Sequence, residues 1–330
     1  MITNPLPPRT GRLSAAAFLA AALVLGCTPG RTSAGGAIGA TAVTLDARDE
    51  ARTRFGALEL LAGFALTLAD PGFGGYSGLS ITEDGSRLTA ISDRAGWLEL
   101  GLSHDAEARL VGFGAATTGS LRDIAGTALR DQGGDAEALA RLAGGGFAVS
   151  FERRPRIDAY PEGLDARAVP LVGTASFGPL PMNGGLEAMT ALADGRLIAL
   201  VEAAGPDGVH QGFLIGPEGI SPLAYRTEAE FSPTDVAELR NGDLLVLERK
   251  FNVVEGVHAR LVRITAANVR AGAVLEGREL ARLSPPLATD NFEGLAVRPA
   301  PGGGTLVYVI SDDNFKPFQR TLIYQFLLDD

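Results

Sequence analysis

Acidic residues recur in this chain at one kind of place, the open end of a short hairpin. Glu187 and Glu202 bound the run EAMTALADGRLIALVE, two apolar stretches joined at Asp194-Gly195. Asp-Gly between β-prone runs signals a hairpin, because a two-residue type I′ turn needs positive φ at both central positions. Folding about that turn sets residue 187 opposite residue 202, and directly opposed side chains sit roughly 5 Å apart. Two like charges at that range require a cation, a base or a shared proton. The same folding pairs Glu137 with Glu152 about Gly144-Gly145, Asp235 with Glu248 about Asn241-Gly242, and Glu293 with Asp312 about Gly302-Gly303. A fifth hairpin, about Asp84-Gly85, pairs Ser77 with Ser92 and carries Asp93 and Arg94 just beyond.

Hard oxygen ligands brought together suit Ca²⁺, which accepts about six to eight oxygens in flexible geometry, and suit Mg²⁺ less, since it retains more waters. Glu137, Glu187, Asp235, Glu293 and Asp312 are the expected metal ligands. Zinc is disfavoured, with only His104, His210 and His258 available and no H-E-x-x-H arrangement. Arg94, Arg153, Arg249 and Lys250 stand beside the acids and are the expected holders of an anion, arginine having a fork that donates two parallel hydrogen bonds. Glu202 and Glu248 are then placed to take a proton from a nucleophile. Two plainer roles stay open: the acids can accept backbone hydrogen bonds from a neighbouring element and lock the fold, and the bases can merely neutralise them. Other chemistries lack their residues. Gly75-Tyr76-Ser77-Gly78 does not complete a G-x-S-x-G elbow, and no G-x-x-x-x-G-K-[ST] loop is present.

The elements that must position these side chains repeat. From Glu137 to Glu187 to Asp235 the spacings are 50 and 48 residues, and each hairpin is followed by further strand-like runs, such as QGFLIG and SPLAYRT after the third. Four antiparallel strands at a period of about 40–50 residues indicate a β-propeller blade. The chain therefore reads as an all-β propeller of five blades, with room for a sixth in residues 117–135 or 40–56. The last hairpin has only TLIYQFLL after it, so the run ALELLAGFALTL at 57–68 is expected to supply the missing outer strand and close the ring. A β-sandwich would explain the alternation, though not acids recurring at one hairpin end. In a propeller the innermost strands line a central channel, so the acids would form a ring at one mouth.

Forty-three glycines and 19 prolines with 6% aromatics favour short strands and tight turns. The net charge of −10 argues against a nucleic-acid partner. At the N-terminus, Arg9 and Arg12 precede LSAAAFLAAALVLG and Cys27, the layout of a signal peptide. Val24-Leu25-Gly26-Cys27 resembles a lipobox, in which the cysteine becomes the lipidated first residue. A plain secretory peptide with an incidental cysteine is the alternative. Cys27 is the sole cysteine and can make no intramolecular disulfide. The expected organisation is a lipoprotein signal peptide over 1–26, a flexible tether over 27–54 and the propeller over 55–330, a monomer anchored in the cell envelope and facing the periplasm or exterior.

The pieces YSGLSITEDGSRLTAISDRAGW, NGGLEAMTALADGRLIALVE, LLVLERKF and NFEGLAV…ISDDNFKPFQRTLIYQF resemble the phytase-like propeller family, described as having esterase-like activity of phytase. The resemblance runs from about Tyr76 to the C-terminus. It implies a secreted or envelope-associated propeller and a phosphoric-ester hydrolase using bound calcium on a small anionic ester. The reading from a different class is a non-catalytic propeller whose mouth binds an envelope ligand, with the acids serving structure or calcium alone.

Overall fold

The computed structural model describes residues 34–130, 133–205 and 207–329. The signal-peptide and lipidation readings, including Cys27, lie outside the described residues. Four strands lead in: β1 (Ala34–Ala37), β2 (Gly39–Ala42), β3 (Arg54–Phe55) and β4 (Leu58–Thr67). Blade I is β5 (Tyr76–Ile81), β6 (Arg87–Ser92), β7 (Gly96–His104) and β8 (Leu110–Ser120); blade II is β9 (Ala136–Arg141), β10 (Phe147–Phe151), β11 (Arg156–Tyr160) and β12 (Val169–Val172). Blade III is β13 (Leu186–Ala191), β14 (Leu197–Ala204), β15 (Val209–Gly216) and β16 (Gly219–Arg226). Blade IV is β17 (Ser232–Glu238), β18 (Leu244–Asn252) and β19 (Gly256–Ile264), then β20 (Val274–Leu275), which crosses back to β16, and the outer strand β21 (Arg278–Leu283). Blade V is β22 (Asn291–Pro299), β23 (Thr305–Asp312) and β24 (Thr321–Leu328), completed on its outside by β4.

Five antiparallel sheets in a ring make a five-bladed propeller, as the repeat implied. Of the stretches offered for a sixth blade, the described residues of 117–135 give only the end of β8 and isolated bridges at Arg122, and 40–56 gives only the end of β2 and the short β3. Each blade buries both faces, and the buried apolar residues fall into five clusters, one between each pair of neighbouring blades. A strand covered on both sides needs no alternation, which is why β23 reads TLVYVISD with every residue buried.

The tether is corrected from Ala34 onward. β1 pairs with β8 of blade I and β2 pairs with β4 of blade V, so this segment laces the first blade to the last beside the closing strand. Leu45 follows, fully buried in the core between blades IV and V. The segments AGGA and GATA carry no hydrophobic period because they are held by backbone pairing along outer strands, where they also cover edges that would otherwise be open.

The hairpin turns differ from the expected two-residue type. In the third hairpin Leu192 N–H donates to Arg196 O, and Gly195 N–H donates to Leu192 O with Gly195 at φ +88°. That is a three-residue loop with a left-handed glycine, which sets the register one residue away from a fold about Asp194-Gly195. Gly145, Gly242 and Gly303 hold the same place in hairpins two, four and five.

Candidate metal centre at the mouth of the ring

Every inner hairpin carries one extra residue on its innermost strand near the channel mouth. Tyr76 opposes Ser92 but Gly78 opposes Ile91; Leu186 opposes Val201 but Ala188 opposes Leu200; Pro233 opposes Glu248 but Asp235 opposes Leu247; Phe292 opposes Ser311 but Gly294 opposes Ile310. In blade II, Ala136 opposes Phe151 and Leu139 opposes Val149, again one residue longer on the inner side. A bulge bends the strand and re-aims a side chain. The repeated position is Ser77, Glu137, Glu187, Thr234 and Glu293. The residue beyond the pairing partner on the second strand is Asp93, Glu152, Glu202, Arg249 and Asp312. Of these ten ring positions seven are carboxylates and one is a guanidinium.

Blade IV is therefore out of phase with the sequence expectation by one residue, and two assignments are corrected. Asp235 is fully buried below the ring, accepting the Leu295 N–H of blade V at 2.6 Å and its own Val236 N–H at 2.8 Å. It staples neighbouring inner strands rather than ligating a metal. Glu248 faces away from the mouth into the contact with blade III, fully buried, where it accepts from Tyr225 Oη and Arg260 Nε. A one-residue shift in a strand moves a side chain to the opposite face, so Thr234 and Arg249 take the places expected for Asp235 and Glu248. Thr234 donates to backbone carbonyls of Leu247 and Phe292.

The remaining expected acids converge. Glu187 feels the charges of Glu137, Glu202, Glu293 and Glu152, and Glu137 those of Glu293, Asp135, Glu152 and Asp93. Desolvation first, and these neighbours second, push Glu137 and Glu187 well above the usual carboxylate range. Glu293 is pushed up to about 8 by burial, against the lowering effect of Arg249, and Asp312 up to about 7. Asp93 and Glu152 are also raised, chiefly by burial. Glu152 is braced by the Gly184 and Gly185 N–H groups, Asp312 by the Asn314 N–H at 2.5 Å and by Asn291 at 3.2 Å.

The expected anion holders separate. Arg249 lies in the ring, its Nη2 2.7 Å from Glu202 Oε1 and 3.6 Å from Glu293 Oε1, while its buried Nε has no hydrogen-bond partner among the described residues. Arg153 sits at the ring's edge, 2.6 Å from Asp135. Arg94 is exposed, stacked 3.6 Å over the Phe315 ring at the rim. Lys250 is drawn outward by Glu230 at 2.6 Å and Glu255 at 3.3 Å, which corrects its placement against a substrate in the ring.

Asp135 is a site residue that acid-pair matching did not find. It directly precedes β9 and, with Glu137 and Glu152, offers carboxylate oxygens all within 4.8 Å of one another. Oxygens sharing one Ca²⁺ at about 2.3–2.6 Å from the ion stand no more than about 5 Å apart. This trio could hold a metal ion, and an all-oxygen donor set of this kind fits a hard cation.

A family model described as phytase-like, esterase-like activity of phytase, matches residues 71–315. No curated protein matches the sequence. Among solved structures the chain is similar to a gluconolactonase from Xanthomonas campestris (12% identity, TM-score 0.42, covering 91% of this chain and 99% of that one). It is also similar to virginiamycin B lyase from Staphylococcus aureus (11%, 0.44, 88% and 100%) and to a PQQ-bound aldose sugar dehydrogenase from Streptomyces coelicolor (14%, 0.44, 83% and 98%). Likenesses this loose say nothing of the chemistry at the ring.

Proposed function

We propose that the chain, which belongs to the phytase-like family, is an envelope hydrolase of a phosphate or related anionic ester, acting at the acid ring with a divalent cation. The observation that carries this reading is a mouth with seven carboxylates among ten ring positions and a single arginine whose buried Nε finds no acceptor among the described residues. Glu137, Glu187 and Glu293, with Asp135 and Glu152 alongside, would hold the cation, Ca²⁺ being favoured over Mg²⁺ by the number of available oxygens. When bound, such an ion polarises an ester oxygen and lowers the pKa of a coordinated water.

The protein's own groups supply the rest. Arg249 is held in place through Nη2 by Glu202 and Glu293, leaving Nε–H to donate to an anionic oxygen of the substrate. Glu202, next to that guanidinium, is the carboxylate best placed to accept a proton from attacking water. Arg153 and Arg94 stand further out, where they would draw an anion toward the mouth. Lipidation at Cys27 would hold the protein to the envelope membrane, the chain entering the ring at Ala34.

The experiment is a calorimetric Ca²⁺ titration of chelated protein, followed by a screen of phosphomonoesters, phytate and carboxylic esters against wild type and Glu187→Gln. Turnover that needs Ca²⁺ and fails in the variant supports the reading. Ca²⁺ binding without turnover of any ester instead identifies a ligand-binding propeller, and equal turnover in Glu187→Gln removes the ring from the chemistry.

A further inference from the structure

Among the described residues, five buried side-chain nitrogen or oxygen atoms lack any hydrogen-bond partner, and two of them, Ser77 Oγ and Arg249 Nε, occupy ring positions. Arg249 is accounted for above. Ser77 is not, and its isolation is unusual for its place. The residue is 2% exposed, and buried hydroxyls are ordinarily paired because an unmet one forfeits its hydration. Thr234, at the same position in blade IV, meets two carbonyls.

The surroundings of Ser77 are tightly determined. A Cβ on the next residue, Gly78, would lie 2.8 Å from the Leu139 nitrogen of blade II. One on Gly294 of blade V would lie 2.9 Å from Leu79 Cβ. The three inner strands thus touch one residue below the ring, and Ser77 is set in the tier of Glu137 on one side and Glu293 on the other. Those two acids feel each other's charge, yet neither is within hydrogen-bond reach of the hydroxyl. Oxygens that share an ion about 2.3–2.6 Å away stand roughly 3–5 Å from one another, so they surround a cation without bonding among themselves.

We propose that Ser77 Oγ is a neutral oxygen ligand of the cation at the ring, the contribution of blade I between Glu137 and Glu293. This rests on the reading that the ring holds a divalent ion. A hydroxyl here adds a coordination position without adding an eighth negative charge to seven that already repel. It also makes Ser77 a residue kept for binding against stability, because the empty protein carries the unmet hydroxyl.

The test uses the full chain, chelated, with Ca²⁺ titrated calorimetrically and thermal unfolding recorded with and without the ion for wild type, Ser77→Ala and Ser77→Thr. The expected result is opposite movement in the two readouts. Ser77→Ala unfolds a few °C higher in chelator, about the shift that removing one unmet buried hydroxyl implies, while its Ca²⁺ affinity drops by about tenfold or more. Ser77→Thr, which keeps the hydroxyl and the residue type of blade IV, returns the affinity toward wild type. Ca²⁺ binding by Ser77→Ala equal to wild type, or a lower midpoint for it in chelator, overturns the ligand role of Ser77 and leaves the cation reading standing. Wild type that binds no Ca²⁺ overturns both.

Discussion

Arg249→Met tests the electrostatics of the ring most directly, because it keeps an apolar stem and removes the one guanidinium among seven acids. The lost partners are Glu202 at 2.7 Å and Glu293 at 3.6 Å, with side chains 23%, 24% and 15% exposed for Arg249, Glu202 and Glu293. Removing one member of a buried ion pair costs about 3–5 kcal/mol, and the residual solvent access places this case near about 3. At about 2–4 °C per kcal/mol, the midpoint should fall by roughly 6–12 °C at alkaline pH without metal. The deficit has a pH sign. Glu293 titrates near 8 in the folded protein even with Arg249 lowering it, against an ordinary value of 4.5. Its raised value means that the folded state holds the proton more tightly, so the stability linked to it is fully present below the ordinary value and is lost as pH rises through 8. At pH 5.5 Glu293 is neutral in both proteins, so the deficit there is reduced to the share that comes from the contact with Glu202. At pH 9 it is ionised in wild type and uncompensated in the variant. Thermal unfolding in chelator at both pH values, with Glu293→Gln and the double variant completing the cycle, measures the difference. An equal deficit at pH 5.5 and pH 9, or no deficit at all, refutes the assignment of Arg249 as the ring's internal cation.

Three further outcomes follow from the same geometry. For wild type in chelator, the raised values of Glu293 and Asp312, about 8 and about 7, with Glu137 and Glu187 raised as well, make the unfolding midpoint decline from pH 5 to pH 9. Saturating Ca²⁺ should flatten that profile, and a midpoint that climbs with pH in chelator would contradict it. Asp235→Ala leaves the Leu295 and Val236 N–H groups unmet, so it should lose about 2 kcal/mol or more in urea unfolding while a Ca²⁺ titration stays at the wild-type affinity. Glu248→Gln should destabilise by about 2 kcal/mol, the worth of one charge-assisted hydrogen bond, because Arg260 loses its buried partner but keeps Glu228 and Glu279, with the KM of any ester substrate unchanged because the side chain faces blade III.

Five blades, the closing strand at 57–68 and most of the acid ring were legible in the chain because hairpins with glycine turns and apolar strands recur at a regular period. What the acids did not reveal was register. Matching acid to acid aligned Asp235 with Glu187, whereas the structure aligns them by the buried apolar residue two places after each bulge: Leu79, Leu139, Met189, Val236 and Leu295. Counting back two from Val236 gives Thr234 and places Arg249 in the ring, so the signal was present in the core pattern rather than in the charges. Asp135 was hidden for a related reason. It stands where the other blades have Gly75, Gly185, Ser232 and Asn291, two residues ahead of the bulged position, and no acid repeats there. The lacing strands β1 and β2 had no signal of their own, since their order comes from pairing with strands about 80 and about 25 residues further along the chain, respectively.

The bracing of the ring bears on whether its acids are meant to be neutral. A carboxylic acid kept protonated needs an acceptor for its own hydrogen, and Glu187 and Glu152 stand close enough to share one. The other donors aimed at these groups point the opposite way: Gly184 and Gly185 N–H to Glu152, Asn314 N–H and Asn291 Nδ2 to Asp312, Asn291 Nδ2 to Glu293, and Arg249 to Glu202. Donors of this kind favour the ionised form, yet burial raises Glu152, Asp312 and Glu293 despite them. The protein thus prepares charged oxygens and withholds the positive charge that would stabilise them, apart from one guanidinium. A metal ion, which the trio Asp135, Glu137 and Glu152 could hold, would meet these charged oxygens where protons would not, because protonation would set each of these donors against a group that no longer carries the charge it was placed to meet.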